Sequence, residues 1–194
     1  MTKRGKYIVV EGIDGVGKTT QVKILADRLV AKSVREPGGT DFAEHVRNEM
    51  LERRDEISHR AYLLGMVMCR ADLLDKKVRP ALNSGIHVVS DRSSLSTLCY
   101  QGHAEKKDLD TIRMLDTFAR NGLRPDLTIL LVGKSFHPNG ATKDPLVRDP
   151  VMRGYLEEAR NDPTIVPVGV MGTVDDVSKE IAMAVEKRLG LTVW

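Results

Sequence analysis

The chain has 194 residues, 41% hydrophobic and 29% charged, with a formal net charge of +3 at pH 7. This is the profile of a folded globular chain, long enough for a single domain with a sizeable core. So small a charge gives little support for a nucleic-acid or membrane surface, although a slightly basic balance also suits a protein that clamps small polyanions.

In chain order, residues 6–11 ("KYIVVE") read as a buried strand and 18–31 as a helix. A short strand is expected near Val34, before the turn "EPGG", and 41–53 is helical. A long helix fits 58–83, with Ser58 as N-cap and "NSG" as its stop. "IHVVS" (86–90) is a second apolar strand, followed by helical stretches near 93–101 and 108–121. "DLTILLV" (126–132) is a third, announced by Pro125; "TIVPVG" (164–169) is a weaker strand, and 174–189 a closing amphipathic helix. Continuous apolar strands alternating with helices predict an α/β domain with a parallel sheet of about five strands covered on both faces. No repeat, linker or low-complexity tract divides it.

The start "MTKRGKYIVVEG" has too short an apolar run for a signal peptide or a membrane span. Cys69 and Cys99 are far apart, without CxxC spacing or a nearby His cluster, and read as buried thiols of a reducing, cytoplasmic compartment.

The chemistry begins at "EGIDGVGKTTQ" (11–21), between a predicted strand and a predicted helix. Gly12, Asp14, Gly15, Val16, Gly17, Lys18, Thr19 and Thr20 lie in or beside a GxxxxGK[ST] phosphate loop in the required context. Its glycines let backbone N–H groups turn inward, and the helix N-terminus adds about half a positive charge facing the anion. Lys18 would reach the β- and γ-phosphates of a nucleoside triphosphate, and the Thr19 hydroxyl would ligate Mg²⁺. The loop alone does not choose between GTPases, ATPases, small-molecule kinases and motors, but there is no NKxD-type guanine signature. The other charged or polar stretches are "REPGGT" (35–40), "CRADLLDKKVRPAL" (69–82) and "SDRSSLSTLCYQG" (90–102). Two of them follow strands, where open α/β sheets bind ligands.

Taken together, "VEGIDGVGKTTQ", "VREPGGT", Met66 with Arg70, "DRSSLSTLCYQG" and "PDLTILL" resemble the thymidylate kinase family, bacterial type, in order and spacing over most of residues 6–132. The resemblance implies a P-loop nucleoside monophosphate kinase fold that transfers phosphate from ATP, with Mg²⁺, to dTMP. It implies that Arg92 bridges the acceptor phosphate and the transferring phosphoryl, and that Asp91 partners the metal. Asp14 would hold the sugar 3′-hydroxyl, Glu36 would lie beside the sugar or acceptor phosphate, and Arg47 would contact that phosphate. Arg70 and Gln101 would bond the pyrimidine edge, supported by Thr97, and Tyr100 would exclude a ribose 2′-hydroxyl. Relatives also pair as homodimers through helices such as 58–83 and "VRNEMLERRDEI".

Three departures stand out. The aromatic that stacks on the base in the family is Met66 here, and the tyrosine after "DR" is Ser93. After Leu131 the family has an Asp near Val132 and then an arginine-rich lid, whereas this chain has "GKSFHPNGATKDPLVRDPVMRGYLEEA". The P-loop offers Gly15 after Asp14, so a lid cation (Lys143, Arg148 or Arg153, with Lys134 nearer the strand) would serve catalysis from a flap at about 134–153. The alternatives left open are a kinase for dUMP, a 5-substituted dUMP or a broader range of deoxynucleotides, and a degenerate nucleotide-binding regulator. Intact Lys18, Thr19 and Arg92 argue against the last.

Overall fold

The computed structural model describes residues 3–133 and 145–193, the side chains of 145–149 excepted. Among these, β1 (Tyr7–Gly12), β2 (Lys32–Arg35), β3 (Val88–Asp91), β4 (Leu127–Val132) and β5 (Ile165–Gly169) form one sheet in the order β2-β3-β1-β4-β5. Every pairing is parallel. The helices are α1 (Lys18–Arg28), α2 (Asp41–Glu52), α3 (His59–Leu73), α4 (Arg79–Asn83), α5 (Ser94–Thr97), α6 (Leu109–Arg120), α7 (Pro145–Asn161) and α8 (Val174–Leu189).

β1 shows why its sequence is an unbroken apolar run. Successive strand residues point to opposite faces. Ile8 and Val10 pack with Leu25 of α1 and Ile181 and Val185 of α8, while Tyr7 and Val9 pack with Leu73, Leu74, Val78 and Leu82 on the other face. Both faces are covered, as expected for a parallel sheet. The register aligns Val10 with Asp91 and Arg35 with Asp91, so the carboxyl ends of β1, β2 and β3 finish together. Ligand-binding loops leave the sheet from those ends.

Caps set the helix limits. Ser58 starts α3 by accepting from the Ala61 N–H at 3.3 Å, and Thr40 starts α2 by accepting from Ala43 at 3.0 Å. Thr173 and Asp176 form a capping box on α8, and Gly190 closes it at φ 64°. The expected helix 18–31 ends earlier, at Arg28, because Val30 turns to φ 49° before β2.

Two corrections concern regularity. The helix expected over 58–83 is interrupted by a π-helical turn at Leu74–Val78, and the stretch near 93–101 becomes α5 plus a second π-helical turn at Leu98–Ala104. A larger one concerns α7, since no helix was expected between residues 132 and 164. Pro145 opens the helix, where its missing N–H is tolerated, and Pro150 lies within it. Cys69 and Cys99 are buried and unbridged, and burial pushes the Cys69 thiol up to about 11. Among the described residues no helix is long and apolar enough to cross a membrane.

Candidate active site

A cavity of about 1360 Å³ opens over the carboxyl ends of the strands. That exceeds the roughly 300–1,000 Å³ of a pocket for one small ligand and suits two ligands end to end. One half is the phosphate loop: Asp14, Gly15, Val16, Gly17, Lys18, Thr19 and Thr20 all line it. Gly15 and Gly17 take φ 74° and 98°, a left-handed conformation that turns the loop around the anion site. Gly12 plays a different part from the rest of the motif and does not line the cavity. At φ 143° its backbone lies so close to β4 that a Cβ would sit 2.7 Å from the Leu131 carbonyl oxygen.

Lys18 is buried and its Nζ donates to the Ile13 carbonyl at 2.8 Å. Burial, and then the Arg92 charge, lower its pKa to about 8, although Asp91 and Asp14 pull the other way. Thr19 Oγ1 donates to Asp91 Oδ2 at 2.6 Å, so two oxygens from separate elements converge beside the loop. Hard oxygen donors of this kind fit Mg²⁺, which takes one or two protein oxygens and keeps its remaining positions for water and phosphate.

Arg92 stands between the two halves. It follows β3 at φ 71°, a left-handed conformation that costs a non-glycine residue about 1–2 kcal/mol. Its N–H donates to the Val10 carbonyl at 3.0 Å and its carbonyl accepts from Ser90 Oγ at 2.7 Å, which holds that turn in place. The guanidinium pairs with Asp14 through Nη2, donates from Nη1 to Ser96 Oγ at 2.7 Å, and lies 5.2 Å from the Tyr100 ring centroid. Burial opposes ionisation of Asp14, but Arg92 and Lys18 outweigh it and hold that carboxyl below its ordinary range.

Glu36, Arg47, Met66, Tyr100 and Gln101, which the family resemblance assigns to the acceptor, line the second half. The π-helical turn explains how consecutive residues share this wall. Its i→i+5 bonding, as from Glu105 N–H to the Tyr100 carbonyl at 3.2 Å, widens the turn and brings Tyr100 and Gln101 round together with Ser96. Gln101 is buried and its Oε1 has no hydrogen-bond partner among the described residues. A buried acceptor left in that state favours an N–H donor.

Arg70 departs from its expected position, because it does not line the cavity; Thr97, expected in support of Arg70, lies behind the wall with it and accepts its hydrogen bond. Arg70 is 2% exposed and donates to Glu36 Oε2 at 2.7 Å, Asp116 Oδ1 at 3.3 Å and Thr97 Oγ1 at 2.9 Å. Burial disfavours its charge, but the Glu36 and Asp116 carboxylates outweigh this and raise its pKa. Arg70 therefore sits behind the wall and holds Glu36 in it.

Other lining residues were not foreseen. Tyr62 lies one turn before Met66 on α3, and the Arg54 guanidinium covers its ring at 4.1 Å; the i, i+4 spacing was the available signal. Arg35, paired with Glu44 at 2.6 Å, joins Arg47 to make a basic flank. Val170, Gly172, Thr173 and Val174 wall the phosphate-loop half, where no motif pointed to them. Of the lid candidates, Lys134 and Lys143 and the Arg148 side chain lie outside the described residues. Arg153 is on α7, exposed and away from the cavity wall.

Residues 10–139 match the thymidylate kinase family model. The chain is 42% identical to a thymidylate kinase of Neorickettsia sennetsu, over 94% of this chain and 95% of that protein. It is 33% identical to one of Hahella chejuensis, over 96% and 99%. Among solved structures, thymidylate kinase from Ehrlichia chaffeensis superposes with a TM-score of 0.83 at 26% identity, covering 94% of this chain and 99% of that one. A phosphate loop facing a second basic subsite across one arginine, on a chain with these relatives, shows that this protein belongs to the thymidylate kinase family.

Proposed function

We propose that the chain phosphorylates dTMP to dTDP with ATP as donor. The observation that carries this reading is Arg92, which touches Asp14 of the phosphate loop on one side and Ser96 and Tyr100 of the second subsite on the other. ATP phosphates would sit on the loop N–H groups and Lys18. The dTMP phosphate would face them, flanked by Arg47 and Arg35. A phosphate oxygen of dTMP attacks the γ-phosphorus as the bond to the β-bridging oxygen breaks, leaving ADP. Positioning two like-charged groups in line and neutralising them is most of the catalysis. Thr19 and Asp91 would hold Mg²⁺, which supplies neutralising charge to the β- and γ-oxygens.

For the acceptor base, the unsatisfied Gln101 oxygen favours a base edge that presents an N–H, as thymine and uracil do at N3. Asp14 and Tyr100 share the sugar side, with Tyr100 Oη donating to Asp14 Oδ2 at 3.3 Å.

The chain would work as a homodimer. α3 and α6 pack through Leu63, Val67, Ile112 and Ala119 yet leave Leu64, Met68, Met114 and Phe118 exposed.

ADP release measured across a panel of nucleoside monophosphates tests the reading. Turnover should be greatest with dTMP; none with any deoxypyrimidine monophosphate would overturn it.

A further inference from the structure

Glu11, near the end of β1, is fully buried and lies outside the cavity wall. Its carboxylate accepts four hydrogen bonds. Oε1 takes the backbone N–H groups of Ser93 at 2.8 Å and Ser96 at 3.1 Å. Oε2 takes the hydroxyls of Ser96 at 2.6 Å and Tyr155 at 3.0 Å. Four donors fill the acceptor capacity of a carboxylate. With both hydroxyl protons directed at Glu11, the two oxygens are left to accept from Arg92 Nη1, Ser96 Oγ at 2.7 Å and Tyr155 Oη at 3.3 Å. The buried negative charge thus reaches the guanidinium through two hydroxyls, one of them on α7 and 144 residues from Glu11 in the chain.

We infer that Glu11, Ser96 and Tyr155 are positioning residues for Arg92, fixing the Nη1 edge of its guanidinium before either nucleotide arrives. The inference rests on the kinase reading above. A flexible arginine must otherwise lose its rotamer freedom on each turnover, and a guanidinium preset by buried acceptors avoids that loss. The Tyr155 ring packs in the main core cluster and would do so without its hydroxyl, so packing alone does not require tyrosine there. The hydroxyl makes contacts with Glu11, Ser96, Arg92 and the Gly12 carbonyl, the last at 3.5 Å.

The test is Tyr155→Phe in the full chain, alone and combined with Arg92→Lys, with kcat and both KM values measured and the melting temperature recorded. Loss of a hydrogen bond to a charged group predicts a fall in kcat of roughly ten- to a hundredfold, with the KM for ATP within about twofold. In the Arg92→Lys background the same change should cost little more, because it acts through Arg92. A folded Tyr155→Phe protein with wild-type kcat, or losses that multiply in the double variant, would overturn the inference. Should Tyr155→Phe fail to fold, Ser96→Ala removes the shorter Nη1 contact and is read in the same way. A wild-type chain that releases no ADP with any monophosphate would sink the kinase reading and this inference with it. Active wild-type protein with an indifferent variant would sink this inference alone.

Discussion

Arg70 Nε donates to Glu36 Oε2 at 2.7 Å, and both side chains are almost fully withdrawn from solvent, at 2% and 3% exposure. The same guanidinium meets Asp116, which Arg120 also pairs at 2.6 Å. Removing one member of such a pair leaves uncompensated buried charge. Arg70→Ala should therefore destabilise the fold by about 3–5 kcal/mol, in addition to any effect on substrate. Urea unfolding of the two proteins reads this directly. A loss below about 1 kcal/mol, the size of an exposed pair, would place Arg70 in the cavity instead.

Lys18→Ala should lower kcat by about 100- to 1,000-fold or more with an unchanged circular dichroism spectrum, since it removes a cation held against the transferring phosphoryl. Its pKa of about 8 adds a pH signature. ATP binding needs the charged ammonium, so kcat/KM for ATP should decline as pH rises through 8, and Lys18→Met should lack that limb. The folding linkage has the opposite sign. Between about 8 and the ordinary 10.5 the unfolded chain holds more protons, so this residue's contribution to stability rises across that window. A flat kcat/KM profile from pH 7 to 9 would contradict the assignment.

Met66 lines the cavity and packs against the small cluster of Ala43, Met50 and Cys69. A thioether adapts to varied shapes where a ring imposes one plane. Met66→Phe should raise the preference for dTMP over dUMP and bulkier 5-substituted analogues by about 0.5–1.5 kcal/mol, mainly through KM. Kinetics with the three acceptors decide it, and an unchanged profile would make Met66 a packing residue only.

Phe118 is 82% exposed on α6, one turn from Met114. If these side chains meet a second copy, light scattering should give a dimer mass at micromolar concentration. Phe118→Asp should shift that mass toward the monomer without lowering the melting temperature of the isolated subunit. A wild-type monomer at that concentration removes the dimer.

Lys18 and Thr19 could be singled out in the sequence because they belong to the phosphate loop, and Asp91 and Arg92 because they stand at the end of an apolar strand. Strand periodicity locates the carboxyl edge of a parallel sheet, and a phosphate loop needs fixed spacing. The sheet was legible for the same reason, since strands covered on both faces leave a continuous apolar signature. Local pattern could not say which way Arg70 points. The family resemblance put it at the substrate with Met66, but the buried carboxylates that claim it come from a loop and from α6. Neither did any spacing join Glu11 to Tyr155, whose contact exists because α7 packs against the π-helical turn at Leu98–Ala104 and so brings Tyr155 to the end of β1. The π-helical turns escaped for a related reason, as a one-residue widening hardly alters apolar periodicity yet swings Gln101 into the cavity. Chemistry tied to one strand end or one loop follows from neighbours in the chain. The setting of Arg92 and Arg70 depends on buried charges finding partners far along it, which folding alone brings within hydrogen-bonding distance.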